Sequence, residues 1–285
     1  MPGLFRRKRG FDEEASMERQ GDFTDFFLTL ADVYLKQNPF PGMICAYAGA
    51  YRYVYEARCV YDPDGRYRAW KEEAIRFLES EEGKSKMLVQ ARMVVDERKR
   101  WAEEALLGGL AKTAWLAGVS AWLDAVIMYA WFEKRTLATG KLVPAMRELA
   151  AYGEFVSLFP AMYRDDHDLW ERFHAVAAYR RYFREAGGDE FACSELQDLL
   201  MERKLERLVR QRDEEAARWL LLTEAAWLYL SCSEEESLDE HVAALPLPLQ
   251  EKLGKIGFSE ANADMIRHVG RLSDQVVEAV FQRRN

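Results

Sequence analysis

Arg164-Asp165-Asp166-His167-Asp168-Leu169-Trp170-Glu171-Arg172-Phe173-His174 is the stretch of this chain richest in groups that do chemistry. On a helix, His167, Glu171 and His174 stand at i, i+4 and i+7 and share one face. Two imidazoles and a carboxylate so placed are ligands for zinc or iron. A metal centre needs further ligands, and the chain offers only four histidines in all. Acids crowded at a helix start also have a simpler use, because they oppose the positive end of the helix dipole. His167, Glu171 and His174 are therefore a metal candidate only, and we expect no metal and no cofactor.

Three resemblances were weighed at this segment. Glu171-x-x-His174 resembles half of the ligand set of di-iron four-helix bundles. The other half is missing: Leu238 and Met265 stand three residues before His241 and His268. His167-Asp168 resembles the dyad of HD-type phosphohydrolases, which need an earlier histidine, and His167 is the first in the chain. Asp165-Asp166 resembles the start of the aspartate-rich motif of helical prenyl-diphosphate enzymes, but the fifth position is Leu169. No phosphate-binding glycine loop and no nucleophile elbow occurs. A small helical metal-dependent enzyme built on Asp165 to His174 is thus the third reading of function.

Two other stretches interleave aromatic and cationic residues. One helix face would carry Tyr47, Tyr51, Tyr55 and Arg58, and a second segment holds Arg180, Arg181, Tyr182 and Arg184. Tyrosine and arginine dominate protein interfaces, and they also stack bases and hold phosphates. The leading reading is a non-enzymatic cytoplasmic adaptor or scaffold that binds another protein through these residues. The runner-up is a nucleic-acid-associated regulator using Arg6, Arg7, Lys8 and Arg9 of a basic arm with Arg267 and Arg271 near the C-terminus. The segment from Leu245 to Gly270 is similar to the helices after the helix-turn-helix of ParB-like partition proteins, through its Leu-Pro pairs, Ser259-Glu260 and Arg267. Against that reading stands a net charge of −8, which repels polyanions at long range. Any nucleic-acid contact is expected to be weak. The oligomeric state is not legible.

The elements that must position these residues are helices. Pro and Gly are scarce, at 8 and 17 residues, and no strand-like alternation of useful length appears. The fold class expected is all-α: a large multi-helix bundle with a small C-terminal helical appendage. The domains are a flexible basic arm over 1–20, a bundle over 21–232 and a three-helix segment over 238–285. The 110–136 stretch is apolar on nearly every face, interrupted by Lys112 and Asp124. A membrane span tolerates such an interior acid poorly, so a core helix with no membrane span is expected; Asp124 is read as paired with an arginine of a neighbouring helix or facing solvent at the rim, and alternatively as a pocket acid of raised pKa. Ser237 with Glu240 is placed for a capping box. Short helices are expected near 260–269 and 274–283, Ser273 capping the second. A helix or pair of helices is expected over 189–230, with residues 205 to 230 forming one amphipathic stripe. The four cysteines form no C-x-x-C pair and are expected to be reduced thiols in a reducing compartment.

Overall fold

The computed structural model describes Tyr55 and residues 62–133, 140–159, 168–188, 191–233, 237–258 and 260–282. Among these residues there are eleven helices and no strand. They are α1 (Arg66–Glu79), α2 (Glu81–Leu107), α3 (Ala111–Phe132), α4 (Leu142–Arg147), α5 (Tyr152–Leu158), α6 (Leu169–Glu185), α7 (Glu195–Arg210), α8 (Glu214–Cys232), α9 (Leu238–Ala244), α10 (Leu247–Ile256) and α11 (Ala263–Gln282). The all-α expectation is met. The chain divides into two compact units, Met1–Val94 and Val95–Asn285.

In the first unit, Asp62-Pro63-Asp64-Gly65 is the expected turn, closed by the Gly65 amide donating to the Asp62 carbonyl. The Asp62 carboxylate accepts from the Tyr67 and Arg68 amides and so caps α1. Tyr55 is half-buried, and its carbonyl accepts from Lys71 Nζ.

The second unit is organised around α3. This helix is long and apolar enough to cross a membrane, yet fourteen of its residues are buried within the protein. Trp122 stacks on Phe155 with ring centres 4.4 Å apart, and Trp115 meets Phe159 and Phe258 edge-on or tilted. Each large ring removes much apolar surface from water, the main stabilising term of such a core. α11 lies along α3, and α4 and α9 pack on it as well. The long pair packs tightly at Gly118, where a Cβ would stand 2.9 Å from Ile266 Cδ1. α10 packs against α6 and α8, so the C-terminal helices share the core of this unit.

The N-terminus of α3 has no side-chain cap of its own. Asp239, from α9, supplies it: its carboxylate accepts from the amides of Lys112 and Thr113 and from the Thr113 hydroxyl, at 3.0, 2.8 and 2.7 Å. The Thr113 hydroxyl in turn accepts from the Leu238 amide. Two helices distant in sequence thus satisfy each other's orphan donors.

Local chemistry departs from expectation in three places. The 205–230 stripe is broken at Gln211-Arg212-Asp213. There Arg212 is left-handed with φ 56°, the Arg212 and Asp213 amides bond back to Val209 and Leu208, and Asp213 caps α8. That is a helix end of the kind usually built on glycine. The expected short helices after residue 260 are one helix, α11, so Ser273 is not a cap; its buried hydroxyl donates to the Val269 carbonyl, and Asn262 caps α11 instead. Ser237 does cap α9, but Glu240 returns to the Ser237 hydroxyl rather than to its amide.

Candidate functional site

α7 and α8 form an antiparallel hairpin whose turn is 211–213. Its open end brings together the start of α7 and the finish of α8. The inner side is held by α6 through arginine. Arg180 is fully buried; it donates to the Ala192 carbonyl at 3.2 Å and forms ion pairs with Asp198 of α7 and Glu224 of α8. Arg184 donates to the Cys193 carbonyl and to Asp198. A buried guanidinium is tolerated only when its donors are engaged in this way. Arg180 is therefore not on an outward face, which corrects its assignment as a partner-binding residue. Arg181 is exposed, while Tyr182 and Arg184 are half-buried. The aromatic-arginine segment is split between core and surface because a helix turns consecutive residues to different faces.

The same arginines order the 191–193 turn, and this places Cys193 beside Cys232, Sγ to Sγ 3.4 Å. Next to Cys232, Ser233 reaches His241 Nδ1 at 3.0 Å, and the Tyr179 hydroxyl reaches Nε2 at 2.6 Å. Hydroxyls donate and accept, so both ring nitrogens are satisfied in either neutral tautomer. Phe183 stacks on the imidazole, with Tyr179 and Tyr229 tilted around it. Burial lowers the His241 pKa to about 4. Burial, with the anionic forms of Tyr229, Cys232 and Tyr182 nearby, pushes the Tyr179 phenol far up. Ser233 and His241 have the spacing of a nucleophile and its base, but an imidazole that resists protonation is a poor base at neutral pH. Its place is that of a packed polar link between α6, α8 and α9. Nothing in the local sequence marked His241 for this; its partners come from two other segments, α6 and the end of α8.

The outer side of the hairpin end is apolar. Phe191 is 68% exposed, Leu196 54% and Trp227 39%, and Leu199, Leu200 and Leu230 are also exposed. Leu196, Leu199, Leu200 and Arg203 follow the i, i+3, i+4, i+7 spacing of one helix stripe, opposite buried Met201, Leu205 and Leu208. Trp227 and Leu230 form the matching stripe on α8, opposite buried Ala225, Leu228 and Tyr229. The sequence reading passed over these residues, since apolar spacing reads as core until the packing partner is known.

The other candidates fare differently. Tyr47, Tyr51 and Arg58, the arm residues Arg6, Arg7, Lys8 and Arg9, and His167 lie outside the described residues. Glu171 is exposed beside Lys255 at 4.0 Å, and His174 meets Phe173 edge-on. Among the described residues no group of three His, Cys, Asp or Glu side chains is placed to hold a metal. Arg267 and Arg271 are exposed on α11, Arg267 beside Asp264 at 3.7 Å. A surface cleft of about 580 Å³ at the hairpin turn is lined by Arg147, Arg212 and Arg218 together with Asp213, Glu214 and Glu215. Arg147 pairs with Glu215 and Asp213, and Arg218 with Glu214. Asp124 pairs with Arg98 of α2 at 3.4 Å, as expected. Burial raises its pKa to about 6, the Arg98 charge and hydrogen bond opposing the rise.

Searches against protein-family models, curated proteins and solved structures found no match to this chain.

Proposed function

We propose that this chain is a non-enzymatic, cytoplasmic helical adaptor that binds another protein at the open end of the α7–α8 hairpin. The observation that carries the reading is the exposed apolar surface of Phe191, Leu196, Leu199, Leu200, Trp227 and Leu230. We take these six side chains, gathered at one end of the hairpin, as one patch, and contiguous apolar patches are uncommon on surfaces that meet only water. Trp227 is the natural anchor, because tryptophan contributes most per residue at interfaces. The two parallel stripes suit an amphipathic helix of the partner, which would lay its own apolar face between α7 and α8. The ion pairs of Arg180 and Arg184 hold the two helices from within, so the surface is preformed and little ordering opposes binding.

The test is affinity capture from the native cell in the presence of nuclease, followed by reconstitution with the captured protein. Wild-type chain should retain a stoichiometric protein partner. Leu200→Glu with Trp227→Glu should lose it by about 100-fold or more in affinity, as expected for removing an anchor. Leu247→Glu, on an exposed leucine of α10, should bind as wild type. Equal capture by the patch variant, or capture abolished by nuclease, would reject the reading.

A further inference from the structure

The thiols of Cys193 and Cys232 are the pair of nucleophilic groups that the adaptor reading leaves unused. Their sulfurs are 3.4 Å apart, and a disulfide bond length is about 2.05 Å. A shift of about 1.4 Å, within the reach of small side-chain rotations, would join them. The two are not equivalent. Cys193 is buried, while Cys232, the last residue of α8, is half-exposed. Nearby backbone is fixed: Arg180 and Arg184 hold the Ala192 and Cys193 carbonyls, and Ser233 is tied to His241. One accessible thiol backed by one buried thiol at near-bonding distance is the arrangement of an attacking and a resolving cysteine.

We infer that Cys193 and Cys232 form a reversible dithiol–disulfide site whose oxidant is a low-molecular-weight disulfide such as oxidised glutathione. Cys232 loses its proton, and its thiolate attacks one sulfur of the oxidant. The oxidant's S–S bond breaks, and one glutathione thiolate leaves with the electron pair and takes up a proton. Cys193 then loses its proton and attacks the Cys232 sulfur of the mixed disulfide. The second glutathione leaves by the solvent side and is protonated in turn. Two protein thiols are oxidised and one glutathione disulfide is reduced to two thiols. The new bond closes a covalent loop around the whole α7–α8 hairpin, at the end that carries Phe191 and Leu230. This site does not depend on the adaptor reading, and its test involves no partner.

The experiment uses the full chain, reduced and desalted, in wild-type form and with Cys45→Ser and Cys59→Ser. Each is exposed to excess oxidised glutathione under native conditions, alkylated and measured by intact mass and peptide mapping. Both forms should yield the linked Cys193 and Cys232 peptides and revert with dithiothreitol, and the form with Cys45→Ser and Cys59→Ser should lose two hydrogens with no retained glutathione. Closing a loop of this size should raise Tm by roughly 5–10 °C. Adding Cys193→Ser should trap one glutathione on Cys232. Persistent glutathione on Cys232 when Cys193 is present would overturn the site. So would Cys232 remaining unmodified, or its pairing with Cys45 or Cys59 in the wild-type chain.

Discussion

Asp124 and His241 are both buried, and burial moves them in opposite directions. The Asp124 carboxyl stands at about 6 against an ordinary 3.8. Its contribution to stability is complete below pH about 4 and is lost as pH rises through 6. The His241 imidazole stands at about 4 against an ordinary 6.5. Its contribution is complete above pH about 6.5 and is lost as pH falls through 4. Across the window between, the two slopes oppose each other, each with a ceiling of roughly 3 kcal/mol. Urea unfolding at pH 4.5 and 7 should resolve them. Asp124→Asn should lose stability on acidification more steeply than wild type, and His241→Phe should lose it on alkalinisation. Identical pH profiles for all three proteins would show that neither group titrates as its surroundings dictate. The pairing of Asp124 with an arginine was legible in the sequence, because a lone acid on an apolar helix requires a cation. The setting of His241 was not, since its hydroxyls lie 62 and 8 residues away.

Helices were readable where their boundaries are written locally. Gly108-Gly109 does end α2, with Gly109 at φ 75°, and Ser237 does start α9. The start of α3 was readable as well, because the apolar stretch from residue 110 follows Gly108-Gly109; what no local motif announces is its cap, the Asp239 carboxylate of a distant helix. A pair of helices over 189–230 was one of the readings, but the place of the α7–α8 break was not legible, because Arg212 adopts a conformation that sequence reasoning reserves for glycine. The apolar stripes of α7 and α8 were visible as spacing, but which of them faced water depended on α6. The Asp239 cap has a measurable weight. Burial alone would raise its pKa, but the bonds from Lys112 and Thr113 and the Lys112 charge outweigh burial and hold it below the usual range. Its contribution is therefore present above the ordinary carboxylate range and lost as pH falls through the lowered value. Asp239→Ala should destabilise by about 1–2 kcal/mol at pH 7, and the difference should shrink at the acid end of a pH series. A cost that stays constant down to the acid limit would mean that the charge contributes nothing.

At the scale of the molecule, α3 is an apolar helix whose cap and long partner come much later in the chain. Its cap stands at Asp239, and its long partner α11 begins at Ala263. Removing residues 262–285 should strip that partner away, and recovery of the shortened chain in the soluble fraction should collapse. A truncated chain that stays soluble and folded, by circular dichroism and cooperative unfolding, would show that α11 is dispensable to the core. The same order of elements has a consequence in time. While the chain is being made, α3 leaves the ribosome with neither its cap nor its long partner. About 130 residues separate the end of α3 from the start of α11, which at roughly 5–20 residues per second leaves α3 without that partner for roughly 7–26 seconds. During that interval a nascent helix apolar enough to span a bilayer is open to whatever binds hydrophobic segments at the exit tunnel. Among the described helices, the one that lies longest against the apolar α3 is thus also the last in chain order.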